Sequence, residues 1–250
     1  MTLPSLDERI TVNLDQATWM ALALDAAMIA YTLAILVAGG LSRRWATVAG
    51  VVGAGWLVIL WLLFANNAPF PDDISGVGFF AVVLVGVALV GGLLLGPPAV
   101  RQVLGRLDQT WLLAPQGIRV FFGTMFLLWA GEGILPRTFG IVDGFTHASA
   151  GFMGLAAAWV AAQANGSTVL PWIANVFGLV DILVVATSIA FVLLGDIGPH
   201  HPMMYAVFAP APVWLWLHVV SIFRLVVPVG PAGGERADRR PEGPPALVGA

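Results

Sequence analysis

Asp143 and His147 stand four residues apart in GEGILPRTFGIVDGFTHASAG, the stretch Gly131–Gly151. On a helix that spacing puts both side chains on one face. A carboxylate beside an imidazole can fix the ring tautomer or hold its proton. The same pair supplies two of the several ligands a metal needs, so His147 and Asp143 are also candidate metal ligands. A plainer role is open to each: Asp143 can cap a helix N-terminus, where acids satisfy free amides and the dipole, and His147 can bond a neighbouring helix.

Five further groups share the property of lying in or beside apolar runs: Asp25, Glu132, Asn175, Asp181 and His218. An ionisable group inside a bilayer costs about 2.5–3.5 kcal/mol on insertion scales, faces the bundle interior and pairs. Together these seven residues are the candidate ligand- or proton-binding set. For Asp181 and His218 the plain alternative is an interhelical hydrogen bond; for Asp25 and Glu132 it is solvation at an interface. A second loop, GDIGPHHPMMY (Gly195–Tyr205), brings imidazoles and thioethers together. Those are copper-type ligands, but the run reads more simply as an exposed turn leading into the last span.

The elements that must position these groups follow from composition. The chain has 250 residues, of which 59% are hydrophobic and 10% charged, with a mean hydropathy of +0.90. A soluble domain carries roughly a quarter charged residues, so this chain needs an apolar solvent. Runs long enough to cross a bilayer fall at Ala17–Gly39, Ala46–Phe64, Val77–Leu95, Ile118–Leu135, Gly144–Gln163, Ile173–Leu194 and Met204–Val227. The expectation is an all-α polytopic transmembrane bundle of about seven spans over 17–227, after a polar N-terminal tail (1–16) and before a disordered cytoplasmic tail (228–250) rich in Pro, Gly and Arg.

Orientation follows from arginine bias. One set of segments holds Arg43, Arg44, Arg101, Arg106, Arg119, Arg224, Arg236, Arg239 and Arg240, and the other only Arg9 and Arg137. Nine against two puts the C-terminus in the cytoplasm and the N-terminus outside. With a rise of about 1.5 Å per residue, Asp25, Glu132, Asp143 and His147 then share an outer layer. His218 falls near the middle, Asp181 somewhat deeper, and Asn175 closer to the cytoplasm. Small residues at Gly92 and Gly96, and at Ala150, Gly154 and Ala158, offer ridges for close helix packing.

Several classes are excluded. Lysine is absent, so no Schiff base can hold a covalent retinal. Cysteine is absent too, which removes disulfides, thiolate metal sites and c-type haem. No phosphate-binding glycine motif and no basic patch for nucleic acid is present. The sequence names no cofactor.

The second half carries a resemblance. LPRTF (Leu135–Phe139) followed by Gly144 and Gly151, NVFGLVD (Asn175–Asp181) and PVWLWLHVVS (Pro212–Ser221) resemble motifs of an uncharacterised family of bacterial multi-pass membrane proteins. The likeness covers roughly residues 117–226 and implies no activity. Counted without gaps, His147 falls where that family has an aspartate, and Asp143 where it has alanine.

The sequence thus points to binding or transport of a small ligand or cation, with proton coupling open, through an outward-facing acidic and histidine-lined cavity. The alternatives are a membrane-embedded metal-dependent enzyme or redox protein, and a non-catalytic scaffold or partner subunit. The expected location is the bacterial cytoplasmic (inner) membrane, with the lipid bilayer as partner and a homo-oligomer left open.

Overall fold

The structure is a computed structural model that describes residues 6–163 and 166–227. The first five residues of the expected N-terminal tail and the expected C-terminal tail from 228 lie outside the described residues. The described residues are all helical, without a strand: α1 (Leu6–Ala38), α2 (Arg43–Ala65), α3 (Gly76–Leu95), α4 (Pro98–Leu104), α5 (Gln109–Leu113), α6 (Arg119–Gly131), α7 (Arg137–Ala161), α8 (Val169–Ser188), α9 (Leu194–Ile197), α10 (Met203–Phe208) and α11 (Pro210–Val226). A 3-10 turn, Ala114–Ile118, joins α5 to α6, and a π turn, Ile189–Leu193, joins α8 to α9.

Local chemistry explains the breaks. The turn after α1 uses Gly40 at φ +96°, which only glycine adopts without cost. Ser75 caps α3 by accepting from the Gly78 amide at 3.1 Å. Asp108 caps α5 by accepting from the Trp111 amide at 3.1 Å. Pro98 opens α4, where its missing N–H is harmless.

Six helical stretches are long and apolar enough to cross a membrane: Leu14–Ala38, Arg43–Ala65, Gly76–Leu95, Gln109–Gly131, Val169–Ile197 and Met203–Val226. Large apolar side chains such as Trp19, Val77, Phe121, Trp159 and Val192 are exposed on them and on α7, as a lipid-facing surface requires. The seventh expected span, Gly144–Gln163, is helical within α7 but is not among the six. α7 carries Arg137, Asp143, Thr146, His147 and four glycines, which lower its mean hydropathy.

One boundary moves with consequence. The fourth span was expected at Ile118–Leu135, yet the helical rod runs Gln109–Gly131. The 3-10 turn at Pro115 and Gly117 continues the rod rather than ending it. Arg119 is therefore near the middle of a span and fully buried, and does not belong with the loop arginines.

α7 is the hub, packed against α5, α6, α8 and the 3-10 turn. Its glycines permit this. A Cβ on Gly144 would lie 2.6 Å from the Leu127 side chain and 2.9 Å from the Gly123 carbonyl, and one on Gly151 would lie 2.7 Å from the Val120 amide. Gly154 likewise faces Gln116, so the Gly154 ridge does serve packing. The Gly92–Gly96 pair does not, because nothing lies within 4 Å of a Cβ at Gly92. Gly91 is the contact residue there, against Trp216.

The loop after α9 is not an exposed turn. His201, Met203 and Met204 are buried. The Met203 amide donates to His201 Nδ1 at 3.1 Å. The other ring nitrogen, Nε2, is 2.9 Å from the Ile134 carbonyl and must donate to it. Both contacts need the neutral ring with its hydrogen on Nε2. Burial pushes this imidazole down to about 4, against the smaller upward pull of the Ile134 carbonyl.

Two outcomes follow. Gly144→Leu forces α6 and α7 apart and lowers stability by about 1–3 kcal/mol in thermal unfolding of the detergent-solubilised protein, whereas Gly92→Leu leaves it unchanged. Unfolded, His201 takes a proton near pH 6.5; folded, it resists until about 4. The unfolded state thus binds more protons in that window, and the stability His201 contributes is full above the window and lost as pH falls through it. The wild-type midpoint therefore drops between pH 6.5 and 4.5 by more than that of His201→Asn.

Candidate functional site

Four ionisable side chains converge between α6, α7 and α8. Arg119, at the head of α6, is fully buried and ion-paired to Asp181 of α8. His147 of α7 places Nδ1 3.0 Å from Asp143 Oδ1 and 3.1 Å from Asp181 Oδ2. Neither contact to His147 is aligned as a hydrogen bond, so Nδ1 and both Asp143 oxygens stay unpartnered in that sense. Ligand atoms of Asp143, His147 and Asp181 all lie within 4.8 Å of one another.

The surroundings are aromatic. The Arg119 guanidinium is 5.2 Å from the Trp214 ring centre, a cation–π distance. Phe126 and Trp214 meet the His147 ring edge-on at 5.4 and 6.0 Å. His147 also lines an otherwise apolar groove with Phe126, Ile182, Val83 and Trp214, so the cluster reaches the edge of the bundle through this imidazole.

A second chain of polar groups begins beside the first. Arg119 Nη1 donates to the Gly178 carbonyl at 3.3 Å. A Cβ at Gly178 would overlap His218 Nε2 and crowd Arg119 Nη1, so the three converge there. His218 Nδ1 is 2.9 Å from Asn175 Oδ1. Asn175 Nδ2 donates to the Pro171 carbonyl at 2.9 Å and to Ser221 Oγ at 2.7 Å. Since both amide hydrogens are used, Oδ1 must accept, and His218 carries its hydrogen on Nδ1. Ser221 in turn donates to Gln109 Oε1 at 2.5 Å, and Gln109 Nε2 donates to the Ser221 carbonyl at 2.9 Å. Gln109 is half-buried at the start of α5, so this chain runs from the charged cluster to one end of the bundle.

Of the seven candidate residues, Asp143, His147 and Asp181 meet directly, and Asn175 and His218 join through Gly178 and Arg119. Asp143 is buried rather than at a mouth. Glu132 is exposed at the end of α6 and lines a surface pocket with Asp196 and His201. Asp25 is fully buried on α1 with both oxygens unpartnered, and joins none of these contacts among the described residues. The outer layer expected from Asp25, Glu132, Asp143 and His147 is thus not one cluster.

Arg119 is the member that reading the sequence misplaced. Its signal was present: Asp108 followed by Gln109 is a helix start, and from there Arg119 falls ten residues inside. Gln109, Ser221 and Trp214 were not singled out as site residues, and no spacing among them marks the site.

Residues 74–226 match the family described as a domain of unknown function, DUF8737, and the chain belongs to that family. This is consistent with the resemblance to an uncharacterised family over the second half. No curated protein and no solved structure shows a significant match.

Arg119→Met leaves the buried Asp181 carboxylate without its guanidinium and with only the His147 ring beside it, and lowers stability by about 3–5 kcal/mol in detergent melts. The double change Arg119→Met with Asp181→Leu removes both charges and recovers most of that loss.

Proposed function

We propose that this member of the DUF8737 family is a multi-pass membrane protein that binds and exchanges one cation, a proton, at Asp143, His147 and Asp181. Proton exchange there serves the binding or transport of a small ligand. The observation that carries this is a charge count in a buried site: two carboxylates and one guanidinium leave one negative charge around a single imidazole nitrogen. Uncompensated charge is costly in a bilayer. A proton on His147 makes the cluster neutral, and its loss makes it negative, so occupancy changes the energy of the α6–α7–α8 interface.

Arg119 is the fixed counter-charge paired to Asp181. The His218–Asn175–Ser221–Gln109 chain supports a polar connection toward one side. The groove beside His147 supports access to the imidazole.

The wider reading is a single domain of seven crossings over 17–227, with α7 as the additional span, between a short N-terminal tail outside and a cytoplasmic tail. Without Arg119, the bias is eight arginines against two, which still favours a cytoplasmic C-terminus. The compartment proposed is the bacterial cytoplasmic membrane.

A second reading has its own observation. Three ligand atoms within 4.8 Å could hold a divalent metal and make the protein a membrane-embedded metal enzyme. Against it, Arg119 already occupies Asp181 and would leave the loaded site with an excess positive charge.

Purified protein in liposomes with an internal pH-sensitive dye decides the matter. The wild type dissipates an imposed pH gradient, and His147→Ala and Asp143→Asn slow it by about a hundredfold. Equal rates in all three proteins reject the proton reading. Stoichiometric metal in the wild type, lost in His147→Ala, would select the second reading instead.

A further inference from the structure

A groove unconnected with the charged cluster runs between α1, α2 and α3. It encloses about 170 Å³ and is lined by Thr32, Leu36, Trp45, Gly53, Trp56 and Val100 among others. From Trp45 to Trp56 it follows eleven residues of α2, about 16 Å at 1.5 Å per residue. That is roughly half of a 30 Å hydrocarbon core, the depth of one leaflet.

One end of the groove is marked by charge. Trp45 follows Arg43 and Arg44 at the head of α2, and Val100 precedes Arg101 on α4. α4 packs on the end of α1, where a Cβ at Gly39 would meet Val103 at 2.9 Å. The α1–α2 turn and α4 thus share this end of the bundle. Arg43, Arg44 and Arg101 are exposed, and none has an ion-pair partner among the described residues.

Within the groove there is one orphan. Thr32 is 8% exposed, and its hydroxyl has no partner. A helical threonine ordinarily satisfies itself on the preceding turn; this one has an unpartnered hydroxyl on a side chain that lines the slot. It lies six residues before the end of α1, about 9 Å below it, where the ester carbonyl of a leaflet lipid is within the same end of the groove.

We propose that this groove binds one anionic phospholipid. An acyl chain lies along α2 past Gly53 toward Trp56, the Thr32 hydroxyl donates to an ester carbonyl, and the phosphate is held by Arg43, Arg44 and Arg101. Arginine suits this because its planar fork matches phosphate oxygens in pairs. Gly53 lets α2 close on α1 at the floor of the groove: a Cβ there would lie 2.7 Å from the Ile29 side chain.

Delipidated full-length protein in neutral detergent tests this by native mass spectrometry. The probes are phosphatidylglycerol, phosphatidylcholine with the same acyl chains, and inorganic phosphate. Expected is one phosphatidylglycerol retained with a preference of about tenfold or more over phosphatidylcholine, as three surface arginines would provide, and no retained phosphate. The triple variant R43Q/R44Q/R101Q, altered only at exposed positions, loses the preference. Val52→Trp, at an exposed position that lines the groove, loses retention of both lipids while keeping the wild-type melting midpoint within a degree or two. Quenching of tryptophan fluorescence by chain-brominated phosphatidylglycerol, stronger in the wild type than in Trp56→Phe, places the chain in the groove. Equal retention of the two phospholipids, a preference that survives the triple variant, or phosphate bound alone would each overturn the proposal.

Discussion

The arginine–aspartate pair between α6 and α8 is the constraint around which the bundle is organised. Arg119 and Asp181 are both buried, and a single charge at that depth is costly. Each therefore fixes the other, and the pair fixes two helices in register. Nη1 is used by the Gly178 carbonyl and the guanidinium face meets the Trp214 ring, while Nε is buried without a partner. A residue larger than glycine at 178 would displace both Arg119 and His218. The chain's small-residue positions thus follow from its charged ones as well as from packing.

The pair also sets the conditions for His147. With Asp181 committed to Arg119, Asp143 is the carboxylate left without a permanent cation. The imidazole lies between them, and histidine is the side chain whose ordinary range lies near neutral pH. Its position four residues after Asp143 matters as much as its chemistry, because a helix holds that separation rigidly.

Most of the site's members were legible in the sequence, but their grouping was not. Asp143, His147, Asp181, Asn175 and His218 stand out because a polar residue in an apolar run needs a reason. Asp25 and Glu132 stand out for the same reason yet lie elsewhere, since depth along a helix says nothing about which face meets which. Arg119 was hidden by a single misplaced boundary. Ala114-Pro115-Gln116-Gly117 has the composition of a helix break, and only the 3-10 turn carries the rod through it. A residue scored as a loop cation is thereby the central one. Gln109 and Ser221 are common polar residues near helix ends, where nothing in sequence separates a partner from a solvated surface group.

On the seven-crossing reading proposed above, α7 is the helix that hydropathy alone passes over. Its buried face carries Gly140, Asp143, Gly144, His147, Gly151 and Gly154, while Ile141, Val142, Phe145, Phe152, Leu155 and Trp159 are exposed. The pattern has the helical period but reverses the polarity of a soluble helix. Averaged over a window, the two faces cancel, and the helix falls short of the mean hydropathy of the other six. Yet the lipid would meet only the exposed face, and that face is almost wholly apolar. The polar half meets α6 and α8, where glycines admit their backbones and Arg119 and Asp181 supply partners. A helix can enter a membrane with an acid and an imidazole on it when protein, rather than lipid, is what they touch.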